Sequence, residues 1–217
     1  MIKNNGYKSF SKFCFLLIAT SLLLTACFGP AAAPQMTTYQ LQDVSQQKIT
    51  NRSGCATLLV MMPSTNANYQ SKNMFYSLDQ YQTQPFAKHQ WAASPPQMLL
   101  PLLMTSLTNS NYFHAVVTTP FAGKADYQLT TQLTQFQQYF SDDSDASYFK
   151  MRLFAVLINN KTHRVIAERR FDATVTAPER SPYGGVIAAN QATASILQQL
   201  TVWTVKQLRA GIYLRCK

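Results

Sequence analysis

The sequence predicts an α+β fold: a single antiparallel or mixed β-sheet of about six strands with two helices packed on one face. Three observations lead there. Between Tyr127 and Val175 apolar and polar residues alternate through three long segments, as they do in strands with one buried face. From Val186 to about Leu208 the period becomes helical, with Ala189, Ala192, Ile196, Leu200 and Trp203 on one stripe. The order of elements is strand, strand, helix, four strands, helix, without the β-α-β alternation that builds a parallel doubly wound sheet.

The chain opens with Lys3, Lys8 and Lys12, then twelve largely apolar residues from Phe13 to Leu24, then Thr25-Ala26-Cys27. Charge, apolar core and small residues in that order read as an export signal over residues 1–26. Twelve residues span roughly 18 Å as a helix, too short for a hydrocarbon core of about 30 Å. Leu24-Thr25-Ala26-Cys27 is similar to the bacterial lipobox, which makes Cys27 the acylated first residue of the mature chain. One acyl chain holds a protein marginally and two or three hold it stably. The expectation is therefore a palmitate-bearing lipoprotein lying on a membrane. Phe28 is not the aspartate that by resemblance to sorted lipoproteins signals inner-membrane retention, so the periplasmic face of the outer membrane is expected.

Residues 27–38 carry Pro30, Pro34 and small residues without apolar period and read as a lipidated tether, ahead of a domain over 39–217. Tyr39 to Leu41 is a short strand candidate. Leu58 to Met62, closed by Pro63, reads as a buried strand, and Asn73 to Tyr81 as a second; Phe86 to Trp91 is expected only to connect to a helix. Ser94-Pro95-Pro96 is a helix start, followed by Leu99, Leu100, Leu102, Leu103, Met104 and Leu107. Pro101 removes one helical bond, so a kink or a late start is expected. Four strands follow. His114 to Thr118 is short. Tyr127 to Phe140 changes the parity of its inward set between Leu133 and Phe136, which predicts a β-bulge near Thr134 or Gln135. Tyr148 to Ile158 and Val165 to Val175 form a hairpin around Lys161, with Val165 inward and Lys150 opposite Asp172. Ala177 to Gly185 reads as a flexible loop.

Without the signal, sixteen Lys and Arg face nine Asp and Glu. The cations are scattered, and a nucleic-acid footprint is not supported. Of four cysteines, Cys14 leaves with the signal and Cys27 takes lipid. Cys55 and Cys216 remain in an oxidising compartment. A Cys55–Cys216 disulfide is the expectation, two free thiols or an intermolecular bridge the alternatives. His89, His114 and His163 fit no ligand or triad spacing. Asp142, Asp143 and Asp145 lack the glycine and glutamate of a calcium loop. No catalytic residue, cofactor or metal site is assigned, and an enzyme is not expected.

The lipobox, Tyr39-x-Leu41, Met62-Pro63, Gln84-x-Phe86-Ala87-x-His89-x-Trp91, Pro96-x-Met98-Leu99, Phe113 to Val116, Ala125-Asp126-Tyr127-x-Leu129 with Leu133-x-x-Phe136, and the alanine-rich final helix together resemble the ABC-type transport auxiliary lipoproteins. That group includes the lipoprotein of the paraquat-inducible (Pqi) system. The resemblance implies an auxiliary component working beside an MCE-domain periplasmic protein and an inner-membrane ABC transporter, moving lipid or other apolar compounds between membranes. Docking surfaces would be sought at Pro178 to Gly185, Phe86 to Trp91 and the charged sheet face; self-association is left open. A lipid-anchored binding protein for a small apolar ligand, or a structural envelope lipoprotein, are the competing classes.

Overall fold

The computed structural model describes residues 35–42, 49, 54–79, 81–119, 123–141 and 145–210. Of the two compact units into which the chain divides, Met36–Lys217 carries every element described below. In chain order these are β1 (Thr37–Tyr39), β2 (Thr57–Val60), β3 (Ser64–Thr65), a 3-10 turn (Ala67–Gln70), β4 (Asn73–Ser77), β5 (Gln84–Trp91), α1 (Pro95–Asn109), β6 (Ala115–Val117), β7 (Tyr127–Phe140), β8 (Ser147–Asn159), β9 (Arg164–Thr176) and α2 (Pro182–Ala210).

The sheet is built on β7, whose fourteen residues alternate. One edge of β7 pairs along its whole length with β8, antiparallel, and β8 pairs with β9. The other edge is shared by three short parallel strands: β2 at Tyr127 to Leu129, β3 at Gln132 and Leu133, and β4 at Gln138 and Tyr139. β6 extends the sheet from β2, and β5 then β1 extend it from β4. The sheet thus forks on β7. Among the described residues six strands have four residues or more and three are shorter, which is the α+β class read from the sequence.

The predicted bulge is present. Leu133 faces Leu153 and Gln135 faces Arg152, leaving Thr134 as the extra residue. The shift keeps Leu129, Leu133 and Phe136 buried beside Phe149, Met151, Leu153, Ala155 and Leu157, all beneath the helices. A second bulge was not foreseen. Leu157 faces Ala167 but Ile158 faces Val165, so Ile166 is extra. This overturns two expectations: Asp172 faces Arg152 instead of Lys150, and Val165 is 59% exposed. The physical reason lies in the turn, where Asn159 Oδ1 accepts from the amides of Lys161 and Thr162 at 2.9 and 3.1 Å and His163 adopts a φ of 54°. That local geometry sets a tighter loop than the core register needs, and the bulge absorbs the difference.

β5 corrects the reading of Phe86 to Trp91 as a connector. It is an eight-residue strand between β4 and β1. Pro85 and polar residues hide the pattern, and the register break between Asn73 and Phe75 resets its alternation. β4 in turn stops at Ser77, short of Tyr81, because Asp79 Oδ1 accepts from the amides of Tyr81 and Gln82 and turns the chain. Likewise β2 ends at Val60, and Met62 is exposed.

Helix α1 starts at Pro95, with the Ser94 amide donating to Gln97 Oε1 at 3.1 Å. It runs unbroken through Pro101, which lies on the exposed side. A late start is thus overturned: the capping contact fixes the first turn regardless of the bond lost at Pro101. Helix α2 starts four residues earlier than predicted. Ser181 Oγ accepts from the Gly184 amide at 3.0 Å, and Pro182 opens the helix, so Gly184 and Gly185 belong to its first turn and not to a loop. A Cβ on Gly184 would come within 2.2 Å of the Glu179 carbonyl oxygen, which is why this turn needs glycine there. The predicted stripe of Ala189, Ala192, Ile196, Leu200 and Trp203 is buried. α1 and α2 meet where the hydroxyls of Ser106 and Thr201 lie 2.6 Å apart.

Candidate functional site

β7 gives the body two ends, about 40 Å apart at ~3.3 Å per strand residue. Around its first residues gather β2, β6, the β8–β9 turn and the last turn of α2. Asp126 organises this end: its Oδ2 accepts from the Thr57 amide at 2.8 Å, its amide donates to Thr57 O, and its carbonyl accepts from the Asn160 amide. The Asp126 in Ala125-Asp126-Tyr127 is therefore a structural clasp. Nearby, the Gly54 amide donates to Tyr112 O at 2.9 Å, an approach that a Cβ on Gly54 would block. Exposed Lys124, Lys161, Arg164, Lys206 and Arg209 belong to the elements of this end.

The C-terminal half of β7 carries the other end, where the described chain begins at β1. Leu41 is buried, the Gln42 amide donates to Asn190 Oδ1 at 2.7 Å, and the Ala92 amide to Tyr39 O at 2.6 Å. A row of rings crosses this end: Tyr183 to Tyr39 (6.2 Å), Tyr39 stacked on His89 (5.8 Å), His89 to Phe86 (6.1 Å), Phe86 to Tyr76 (4.5 Å) and Tyr76 to Phe140 (5.6 Å). The Arg180 guanidinium sits 5.4 Å over Phe140. Beside the row a groove of about 410 Å³ is lined by Tyr39, Gln42, Tyr183, Ile187 and Asn190. A second groove, of about 400 Å³, lies between α2 and β9 at Arg169, Val202, Trp203 and Lys206.

Two of the three surfaces named from the sequence are thereby brought together. Phe86 and the segment from Pro178 meet through Phe140 and Tyr39, whereas Trp91 is 1% exposed and packs on Phe136 at 5.5 Å. The third, the outer face of β8 and β9, is on the other side of the sheet. There Lys150 lies 4.7 and 5.0 Å over the stacked rings of Tyr139 and Tyr148. Asp172 is held between Arg152 and Arg170, at 2.5 and 2.8 Å. Partial burial works against the Asp172 charge, but hydrogen bonds from both arginines, and their charges, outweigh it and hold the carboxyl below its ordinary value.

A group whose folded pKa is depressed stabilises the fold above the unfolded carboxylate value and loses that contribution as pH falls through the folded one. Asp172→Asn is therefore expected to cost under about 1 kcal/mol at neutral pH, since both partners are substantially exposed. Urea midpoints for the two proteins should converge as pH falls below the ordinary carboxylate range and Asp172 protonates.

A buried polar chain runs behind the row: Tyr69 donates to Gln137 Oε1 at 2.8 Å and Gln137 Nε2 to Ser77 Oγ at 2.8 Å. Burial pushes the Tyr69 phenol up to about 12, against the lowering effect of a backbone hydrogen bond at Phe136. The sequence reading missed both this chain and the row, because their members come from β1, the 3-10 turn, β4, β5, β7 and α2 and acquire meaning only by packing together.

Cys27 and Cys216 lie outside the described residues. Cys55 is exposed and disulfide-bonded. His89 joins the ring row, His114 precedes β6 and His163 is in the β8–β9 turn, so the three histidines belong to separate elements. Asp142 and Asp143 lie outside the described residues; Asp145 is almost fully exposed, 3.7 Å from Arg180. Among the described residues no three His, Cys, Asp or Glu side chains are placed to share a metal, and no helix is long and apolar enough to cross a membrane.

The body is similar to a crystal structure of a Xanthomonas campestris protein, with a TM-score of 0.74 at 20% identity, covering 81% of this chain and 98% of that one. A second crystal structure matches with a TM-score of 0.57 at 16% identity, over 80% and 99% of the two chains. These share the fold. An uncharacterized protein of Bradyrhizobium diazoefficiens is 27% identical over 82% of this chain, and the chain spans 47% of that relative's length. Residues 39–201, from β1 to the second half of α2, match the family described as the ABC-type transport auxiliary lipoprotein component, and the chain belongs to that family.

Proposed function

We propose that the protein is an acylated auxiliary lipoprotein of an intermembrane transport system for lipid or other apolar compounds. Cys27 holds it to the periplasmic face of the outer membrane, where it receives an MCE-domain protein. An inner-membrane ABC transporter supplies the energy. The family match over residues 39–201 carries this reading. The arrangement of the body supports it: the chain enters at β1, in the C-terminal half of β7, while the cationic elements around Asp126 lie at the other end. An anchored body of this length offers that second end to a partner arriving from the periplasm. The role is one of holding and docking, not catalysis.

Cross-linking in intact cells followed by capture of the protein from solubilised membranes tests this. An MCE-domain protein is expected among the cross-linked species. Its absence, with the lipoprotein expressed and recovered in full, would remove the docking role.

A further inference from the structure

The ring row is only partly covered, and it lies where the described chain begins. Tyr183 is 55% and Met36 43% exposed; Tyr39, Tyr76, Phe86, His89 and Phe140 are half-buried. Phe86 and Tyr76 share the sheet face that the helices cover further along. Exposed Lys88 lies between Phe86 and His89 on β5, and Arg180 sits over Phe140, 3.7 Å from exposed Asp145. Rings with an apolar body and a polar edge, mixed with cations, partition to the headgroup boundary of a bilayer.

Chain length points to the same occupant. Nine residue steps separate Cys27 from Met36, a path of at most about 32 Å. A body held that close presents first the surface around β1. We infer that the row from Tyr183 to Phe140, with Met36, Lys88 and the groove beside Tyr39, is a lipid-contacting face that lays this end of the body on an anionic bilayer. The inference rests on the anchored reading proposed above, and adds that the folded surface, as well as the acyl group, meets lipid.

The test uses full-length acylated protein purified from membranes and reconstituted into phosphatidylethanolamine and phosphatidylglycerol vesicles. Tyr183→Trp and, at the β8–β9 turn, Val165→Trp are compared with the unsubstituted protein, whose Trp91 and Trp203 are buried. With brominated lipids, the added tryptophan at 183 is expected to be quenched at least about twofold more than the one at 165, as a ring at the headgroup level would be. A headgroup photo-cross-linking lipid with the unsubstituted protein gives an independent measure, with adducts expected within 36–42, 84–89 and 180–187. Equal quenching at the two positions, or adducts confined to other segments, while the protein still floats with vesicles, overturns the lipid face and leaves the anchor standing. Loss of flotation by the unsubstituted protein overturns the anchor, and the face with it.

Discussion

Phe136→Ala is expected to lower the stability of the folded body by about 3–5 kcal/mol, the range for removing a buried aromatic ring. Phe136 is 1% exposed and is the first core residue of β7 after the bulge at Thr134. Its ring lies 5.5 Å from Trp91 and 4.9 Å edge-on to Phe149, so it joins β5 on one arm of the sheet to β8 across β7. Truncation leaves a cavity between three strands that cannot close without breaking the ladders holding them. Whole domains have only about 5–15 kcal/mol in hand, so the urea midpoint should drop severely and the variant should accumulate poorly in cells. A loss below about 1 kcal/mol would mean that the inward set of β7 does not change parity where the bulge places it.

Cys27→Ser is expected to abolish incorporation of labelled palmitate and to remove the protein from outer-membrane fractions. On the proposed reading the Cys27 thiol accepts the diacylglyceryl group, a serine hydroxyl would not replace it, and the cut before residue 27 would be lost with it. Each acyl methylene contributes about 0.8 kcal/mol of membrane binding, so no change confined to the protein surface replaces two or three chains. Palmitate in the Cys27→Ser protein, or its undiminished recovery with outer membranes, would overturn the assignment of Cys27.

The sequence was legible where one segment carries its own pattern. The parity change between Leu133 and Phe136 located the bulge, and the small-residue stripe from Ala189 to Trp203 located the long helix. What it hid was relational. β5 owes its strand character to β4 and β1 on either side, and Gln84-Pro85-Phe86-Ala87-Lys88-His89 shows little alternation of its own. The register at Ile166 follows from competition between an asparagine-led turn and the inner core, and only the adjacent apolar pair Val165-Ile166 hinted at it. Ser181-Pro182 is a different case. It is the same cap-and-proline pair as Ser94-Pro95, but the two glycines that follow masked it: they read as loop when considered alone, and as tight packing once Gln138 and the Glu179 carbonyl stand against them.

The forked sheet also decides how the protein bears tension. A pull applied at the start of the described chain arrives at β1, three residues joined to β5 and reinforced by the Gln42 amide on Asn190. Behind it, the β7–β8 ladder runs the full length of the body and is loaded sideways along many bonds at once. The weakest link is therefore the outermost one. On the anchored reading proposed above, strain would peel β1 first and lengthen the connection by a few residues, while the β7–β8 core of the module stays intact.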